Sequence, residues 1–235
     1  MDAVDAARPF SAQAPDGRQL QSLYHERFTV DGEYRARLWH VLCQDYFQQF
    51  VQLDDTVVEL AAGYCEFINA IQAGTKIAVD LNPDVVRHAG PGVDAVVSDT
   101  SDMAAIRGGT ADVVFVSNFF EHLTRGDILR TLGEARRILR PGGRLLVLQP
   151  NIRYCARDYW MFFDHVTALD DRSLREALLL AGFTIDSMLP RFLPYTTKSR
   201  IPQGLALVRL YLKVPLAWRL MGQQALAVAR SPLPA

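Results

Sequence analysis

Three carboxylates in this 235-residue sequence recur at a spacing that could grip a small polar ligand: Glu59, Asp80 and Asp99. Asp80 stands 21 residues beyond Glu59, and each acid closes or follows a short β-branched run. A carboxylate at that distance can accept hydrogen bonds from the two hydroxyls of a nucleoside ribose, because strand ends in an open α/β sheet share one ligand-binding edge. Between the first two acids, Ala61-Ala62-Gly63 supplies small residues that let a ligand approach the backbone. Singly, each acid equally suits a turn or a helix cap. Together they argue for ligand binding.

A second set of residues could move protons. His122 follows the fourth β-branched run, and Asp164-His165 lies in the segment after the fifth. Histidine changes charge near neutral pH, so either ring could take a proton from a hydroxyl acceptor, which a neutral amine acceptor would not require. The competing reading packs His122 on a helix and uses His165 to order a loop. Arg153, Tyr154 and Tyr159, with Trp160, Phe162 and Phe163, make residues 151–167 an aromatic-rich loop suited to a sugar ring or planar acceptor, with Arg153 available to a phosphate. The alternative is a hydrophobic cluster that only closes over the edge. Tyr195, Lys198 and Arg200 could meet further phosphates. Asp170-Asp171 precedes Arg172-Ser173-Leu174, where helix capping explains both acids, and no metal site is expected.

The elements that must position these groups can be read from periodicity. Thr56–Leu60, Lys76–Val79, Ala95–Val97, Asp112–Ser117 and Arg144–Leu148 read as strands separated by helical stretches, which predicts a parallel sheet. Ile128, Leu129, Leu132, Ala135, Ile138 and Leu139 hold helical spacing before Pro141-Gly142-Gly143. A helix over Arg172–Ala181 should end at a left-handed Gly182, followed by strands at Phe183–Met188 and Gln224–Ala229. Leu38, Trp39, Leu42, Tyr46 and Phe50 mark an N-terminal helical cover. The boundaries are a mobile start at 1–17, the cover at 18–55, a core at 56–190, a basic and apolar insertion at 191–222, and the last strand and tail at 223–235.

Apolar residues at 49% and charged residues at 22% suit a chain that buries a substantial core. Cys43, Cys65 and Cys155 form no C-x-x-C pair, and the first residues lack the apolar run of a secretory leader, which together give a cytoplasmic expectation. Net charge is −1, yet from Ser187 onward there are seven Lys or Arg and no acid. Within that tail, residues 204–221 are too often interrupted by charge to span a bilayer. A lid, a homodimer contact or a peripheral membrane contact are the readings open to it. The absence of a nucleic-acid-binding module argues against nucleic acid as partner.

The order of these motifs resembles the class I S-adenosyl-L-methionine (SAM)-dependent methyltransferases, particularly the broad type-11 group, from Val57 to Gly182. The resemblance rests on Glu59 to Gly63, Asp80, Asp99, Asn118-Phe119-Phe120-Glu121-His122-Leu123 and Leu139-Arg140-Pro141-Gly142-Gly143. It implies a doubly wound, Rossmann-like α/β fold: seven strands, mostly parallel with the last antiparallel, and helices on both faces. It also implies SAM as cofactor, with Glu59, Ala61 and Gly63 around the methionine part, Asp80 at the ribose, Asp99 and Thr100 at the adenine, and Leu81 and Asn118 also at the cofactor. Ala61 and Cys65 stand where the family usually has glycines, so their side chains should crowd the cofactor. The implied reaction is methyl transfer to a hydroxyl, or less readily an amine, of a small-molecule or glycan-type acceptor. A catalytically inactive partner subunit and a dinucleotide oxidoreductase are the alternatives, the latter lacking G-x-G-x-x-G.

Overall fold

The central strands of the computed structural model, which describes residues 32–195 and 204–233, are those with the longest apolar runs. β1 (Thr56–Leu60) and β4 (Ala111–Ser117) are buried on both faces, as a parallel strand covered by helices must be. They lie side by side in a seven-stranded sheet of order β3-β2-β1-β4-β5-β7-β6, whose other members are β2 (Thr75–Asp80), β3 (Val93–Val97), β5 (Leu139–Pro150), β6 (Thr184–Leu189) and β7 (Gln224–Arg230). β7 runs antiparallel to both of its neighbours. The strand order reverses between β1 and β4, where Leu60 pairs Val79 on one side and Val116 on the other. That reversal opens a crevice at the carboxyl ends of the two strands.

Alternation along the strands sends side chains to two separate cores. One face takes Val57 and Phe115, covered by α1 (Gly32–Asp45), the 3-10 turn Phe47–Phe50 and α2 (Glu66–Ala70). Phe67 of α2 stacks on Phe115 at 3.7 Å between ring centres, with Trp39 of α1 edge-on to both. Truncating Phe67 to Ala would cost about 3–5 kcal/mol. The opposite face takes Val58, Leu60 and Val114, covered by α4 (Arg125–Ile138) and α6 (Asp171–Leu180). α4 begins at Thr124, whose side chain accepts from Asp127 N–H, and buries Ile128, Leu132, Ala135 and Ile138 at helical spacing. α6 begins with a capping box between Asp170 and Ser173, and Gly182 follows it at φ +83°, a conformation that costs glycine nothing. The short α3 (Val85–His88) links β2 to β3.

Two segments differ from their sequence-based expectation. The expected loop at 151–167 opens with a helix, α5 (Ile152–Tyr159), because Asn151 caps it from Arg153 N–H and buries Cys155 and Tyr159 one turn apart. The 191–222 insertion contains α7 (Leu205–Leu212) and α8 (Pro215–Met221), with Pro215 at the start of the second helix. No helix among the described residues is long and apolar enough to cross a membrane. The N-terminal expectations for residues 1–31, and Lys198 and Arg200, lie outside the described residues.

Candidate functional site

The loop from β1 to α2 has an unusual backbone. Ala61, Gly63 and Cys65 all adopt left-handed conformations, at φ +51°, +51° and +58°. Glycine accepts that region freely, whereas a Cβ there costs roughly 1–2 kcal/mol per residue. The loop is held in place from outside: Ala62 N–H donates to Val79 O at 3.0 Å, and Gly63 N–H to Asp80 Oδ2 at 2.7 Å. A Cβ built on Gly63 would meet nothing within 4 Å, so glycine is required there by conformation and not by space. The expected crowding by Cys65 is corrected: its side chain is fully buried, with Sγ 3.8 Å from Val85 O, and burial pushes the thiol up to about 12.

Each of the three acids has a structural task. Glu59, 5% exposed, accepts from Ile68 N–H of α2 at 3.0 Å, and burial raises its pKa well above the carboxylate range. It fixes the helix behind the loop. Asp80 accepts from Gly63 N–H and from Asn82 N–H at 2.8 Å, one bond on each oxygen. Desolvation raises its pKa against the pull of those two bonds. A carboxylate has about four acceptor directions, so Asp80 retains capacity for two hydroxyls at the mouth of the crevice. Leu81 beside it is 68% exposed, an apolar surface at the same edge. Asp99 accepts from Ser101 N–H at 2.8 Å. Thr100 departs from expectation: it is buried, and its hydroxyl pairs with Thr131 of α4 at 3.1 Å, which commits the side chain to helix packing.

Across the crevice, Asn118 follows β4 at φ +47° and donates its N–H to Leu148 O. The chain then turns through Phe120–His122, which places Glu121 and His122 beside the segment after α5. Val166 and Thr167 N–H both donate to Glu121 O, and the Thr167 hydroxyl donates to Leu123 O. His122 Nδ1 lies 3.2 Å from the carbonyl and 3.3 Å from the carboxylate of Asp164. Two acceptors at Nδ1 require it to carry the proton, which makes Nε2 the basic nitrogen of the neutral ring. Burial alone would lower the His122 pKa; the Asp164 and Glu121 carboxylates outweigh it and hold the ring above its usual value. His165 stands edge-on to His122 at 4.9 Å and is 6% exposed. It belongs to the same cluster.

Glu121 was not singled out as a site residue by its sequence position. It is 1% exposed, accepts from Gln149 Nε2 of β5 at 2.8 Å, and burial raises its pKa. No Lys or Arg among the described residues pairs with it. Ligand atoms of Glu121, His122 and His165 lie within 4.8 Å of one another, a donor set able to share a proton or to hold a divalent cation. The signal in the sequence was an isolated polar Gln149 in the apolar run of β5.

The predicted acceptor residues separate into two groups. Tyr159 is corrected: it is fully buried, its hydroxyl donating to Thr167 O at 2.6 Å and accepting from Leu169 N–H at 3.2 Å, so it holds the loop and cannot face an acceptor. Arg153 is drawn to Asp171 at 2.8 Å, which in turn accepts from Asn151, so Asp171 organises this end of the sheet while Asp170 does the capping. Tyr154 is half-buried under the Arg191 guanidinium, 4.6 Å above its ring, and Tyr195 N–H donates to Gln223 Oε1. Gln223 Nε2 donates to Tyr154 O, which ties these two tyrosines to one wall.

Residues 58–147 match the family described as "Methyltransferase domain". Among curated proteins, an uncharacterized 37.1 kDa protein in transposon TN4556 of Streptomyces fradiae is 27% identical over 136 residues, 50% of this chain and 39% of that protein. The match thus spans about two-fifths of that relative's length. Among solved structures, a chain of the complex between the Haloferax volcanii Trm112 methyltransferase activator and its methyltransferase superposes with TM-score 0.65 at 21% identity, covering 89% of this chain and 96% of that one. A SAM-dependent methyltransferase from Archaeoglobus fulgidus gives 0.61 at 18%, covering 89% and 99%. The [4+2]-cyclase SpnF gives 0.63 at 16%, covering 94% and 98%, so this fold also carries a chemistry of another name. Residues 58–147 thus match the methyltransferase-domain family, the fold is the one shared by SAM-dependent methyltransferases, and SAM is the cofactor this match implies.

Proposed function

We propose that the chain transfers a methyl group from SAM to a hydroxyl of a small or glycan-type acceptor, with His122 as the proton acceptor. The observation that carries this reading is the His122–Asp164 pair, set across the β1–β4 crevice from the Ala61–Cys65 loop. SAM supplies an electrophilic methyl on a sulfonium. In this reading Asp80 holds the ribose hydroxyls, the Gly63 loop admits the methionine part, and Asp99 with Leu81 flanks the base. In-line displacement needs alignment and exclusion of water more than it needs acid or base. A hydroxyl nucleophile adds one demand, a group to receive its proton as the new bond forms. His122 Nε2 meets that demand, while Asp164 fixes the tautomer and stabilises the imidazolium. Tyr154, Tyr195 and the exposed Trp160 make the opposing wall against which a sugar ring would lie, with Lys198 and Arg200 as candidate phosphate contacts. An amine acceptor would leave the His122–Asp164 pair without a task. The inactive-subunit reading drew on Ala61 and Cys65, and the burial of Cys65 removes half of that support.

The test is calorimetric titration of the full chain with SAM, followed by release of S-adenosylhomocysteine in the presence of a panel of sugar nucleotides. Saturable SAM binding and acceptor-dependent release are expected, with His122→Asn sparing binding and slowing release by about 10²–10⁴-fold. A folded chain that does not bind SAM ends the reading. Release that collapses in EDTA would instead make Glu121, His122 and His165 a metal centre.

A further inference from the structure

We propose that the outer face of the α7–α8 hairpin docks on an anionic lipid surface. α8 has no buried residue at all, and α7 buries only Leu212. Leu210, Leu216 and Leu220 are 58%, 64% and 70% exposed, and Leu207, Val214 and Met221 are exposed as well. These positions fall at helical spacing: 207, 210 and 214 follow one line on α7 and its end, 216 and 220 another on α8. Lys213 and Arg219 are exposed next to these lines, adjacent in the chain to Val214 and Leu220, and neither enters an ion pair among the described residues. An amphipathic surface of leucines with interspersed cations is the composition that inserts into a headgroup layer.

The hairpin is firmly seated, so its leucines are presented and not merely frayed. Arg209 donates two 2.8 Å bonds to the Asp45 carboxylate of α1. Trp218 turns inward, its Nε1–H donating to Tyr211 O and its ring edge-on to Phe192 and Tyr46. Charge selects the occupant. From Ser187 onward the sequence has no acid, and Arg191, Arg209 and Arg230 are already engaged with carbonyls or carboxylates of this chain. A second copy packed on this face would set Lys213 and Arg219 against cations with no acid on the hairpin to answer them, whereas anionic headgroups neutralise both.

Placement gives the docking a consequence. Gln224, which follows the hairpin, pairs with Pro150 at the carboxyl end of β5, so the hairpin and the segment after α5 leave the sheet by the same edge. That segment carries Trp160, Met161 and Phe163, 54%, 53% and 91% exposed. A docked chain would therefore turn its crevice edge toward acceptors anchored in the surface. This consequence rests on the methyl-transfer reading; docking itself does not.

Co-sedimentation of the full chain with phosphatidylcholine vesicles, with and without phosphatidylglycerol, tests the proposal. Pelleting only with phosphatidylglycerol, weakened by salt, is expected. Lys213→Ala with Arg219→Ala should weaken it by about thirtyfold, and Leu216→Asp with Leu220→Asp should abolish it, with thermal melting showing both variants folded. A wild-type chain that stays in the supernatant overturns the proposal, as does undiminished pelleting of the aspartate variant. Light scattering that finds a dimer, dissociated by the aspartate variant and indifferent to vesicles, would assign the face to a second copy and overturn it too. None of these outcomes depends on SAM binding or turnover.

Discussion

The two walls of the crevice are built by different means. On the β1–β3 side the groups are mostly local: the Ala61–Cys65 loop is held by its neighbouring strand through Val79 O and Asp80. Across from it, the wall is assembled from residues far apart in the chain, as when Glu121 meets Gln149, His122 meets Asp164, and Tyr154 meets Arg191 and Gln223. The first wall presents backbone with the Asp80 and Asp99 carboxylates while Glu59 is buried behind it, and the second buries a polar cluster. Such a cluster is tolerable in a core only when its members satisfy one another. The difference suggests a division of labour, in which a fixed ligand is served by a short-range motif and the variable acceptor by a tertiary one.

The largest expected effect falls on the first wall. Asp80→Ala removes the acceptor of Gly63 N–H along with both candidate hydroxyl contacts. Charge-assisted hydrogen bonds contribute about 1.5–3 kcal/mol each, so calorimetry should show SAM binding weakened by at least about 100-fold. If Asp80→Ala leaves affinity intact while Tyr195→Ala abolishes it, the walls have been assigned the wrong way round.

A smaller effect separates the roles within the second wall. His122 is held above its ordinary pKa, so kcat/KM should rise with pH along a limb above about 6.5. Asp164→Asn removes a partner that opposes desolvation and should move that limb to lower pH. The stability sign follows from the same shift. A histidine with a raised folded pKa contributes stability that is fully present below its unfolded pKa and lost as pH rises through the folded one. Thermal midpoints of the wild-type chain should carry that loss, and those of Asp164→Asn should carry less of it.

The smallest effect concerns strain in the loop. Ala61 is held at φ +51°, so Ala61→Gly should stabilise the chain by about 1 kcal/mol in urea unfolding. SAM affinity should change little, since Val79 O and Asp80 hold the neighbouring amides in either variant. A marked loss of affinity would mean that the Ala61 methyl itself helps to shape the loop for its ligand.

The sheet was legible because its signals are local: β-branched runs bounded by acids and small residues, a helical stripe from Ile128 to Leu139, and a glycine after α6. The sequence also marked Asp80 and Asp99 as strand-end acids, because strand length and turn placement fix where such residues fall. It could not tell that Cys65 points into the core, since the left-handed turn that aims it comes from tethers on β2. It could not tell Tyr159, a buried strut, from Tyr154, because both share one aromatic run and only packing separates their faces. Glu121 and the pairing of His122 with Asp164 were hidden for the same reason. Sequence alone determined the strands, the crossovers and the acids at their ends, all consequences of short-range sterics and periodicity. Which side chains share the far wall was decided only when β4, β5 and β7 came together, because burial and hydrogen-bond partners are properties of the assembled sheet.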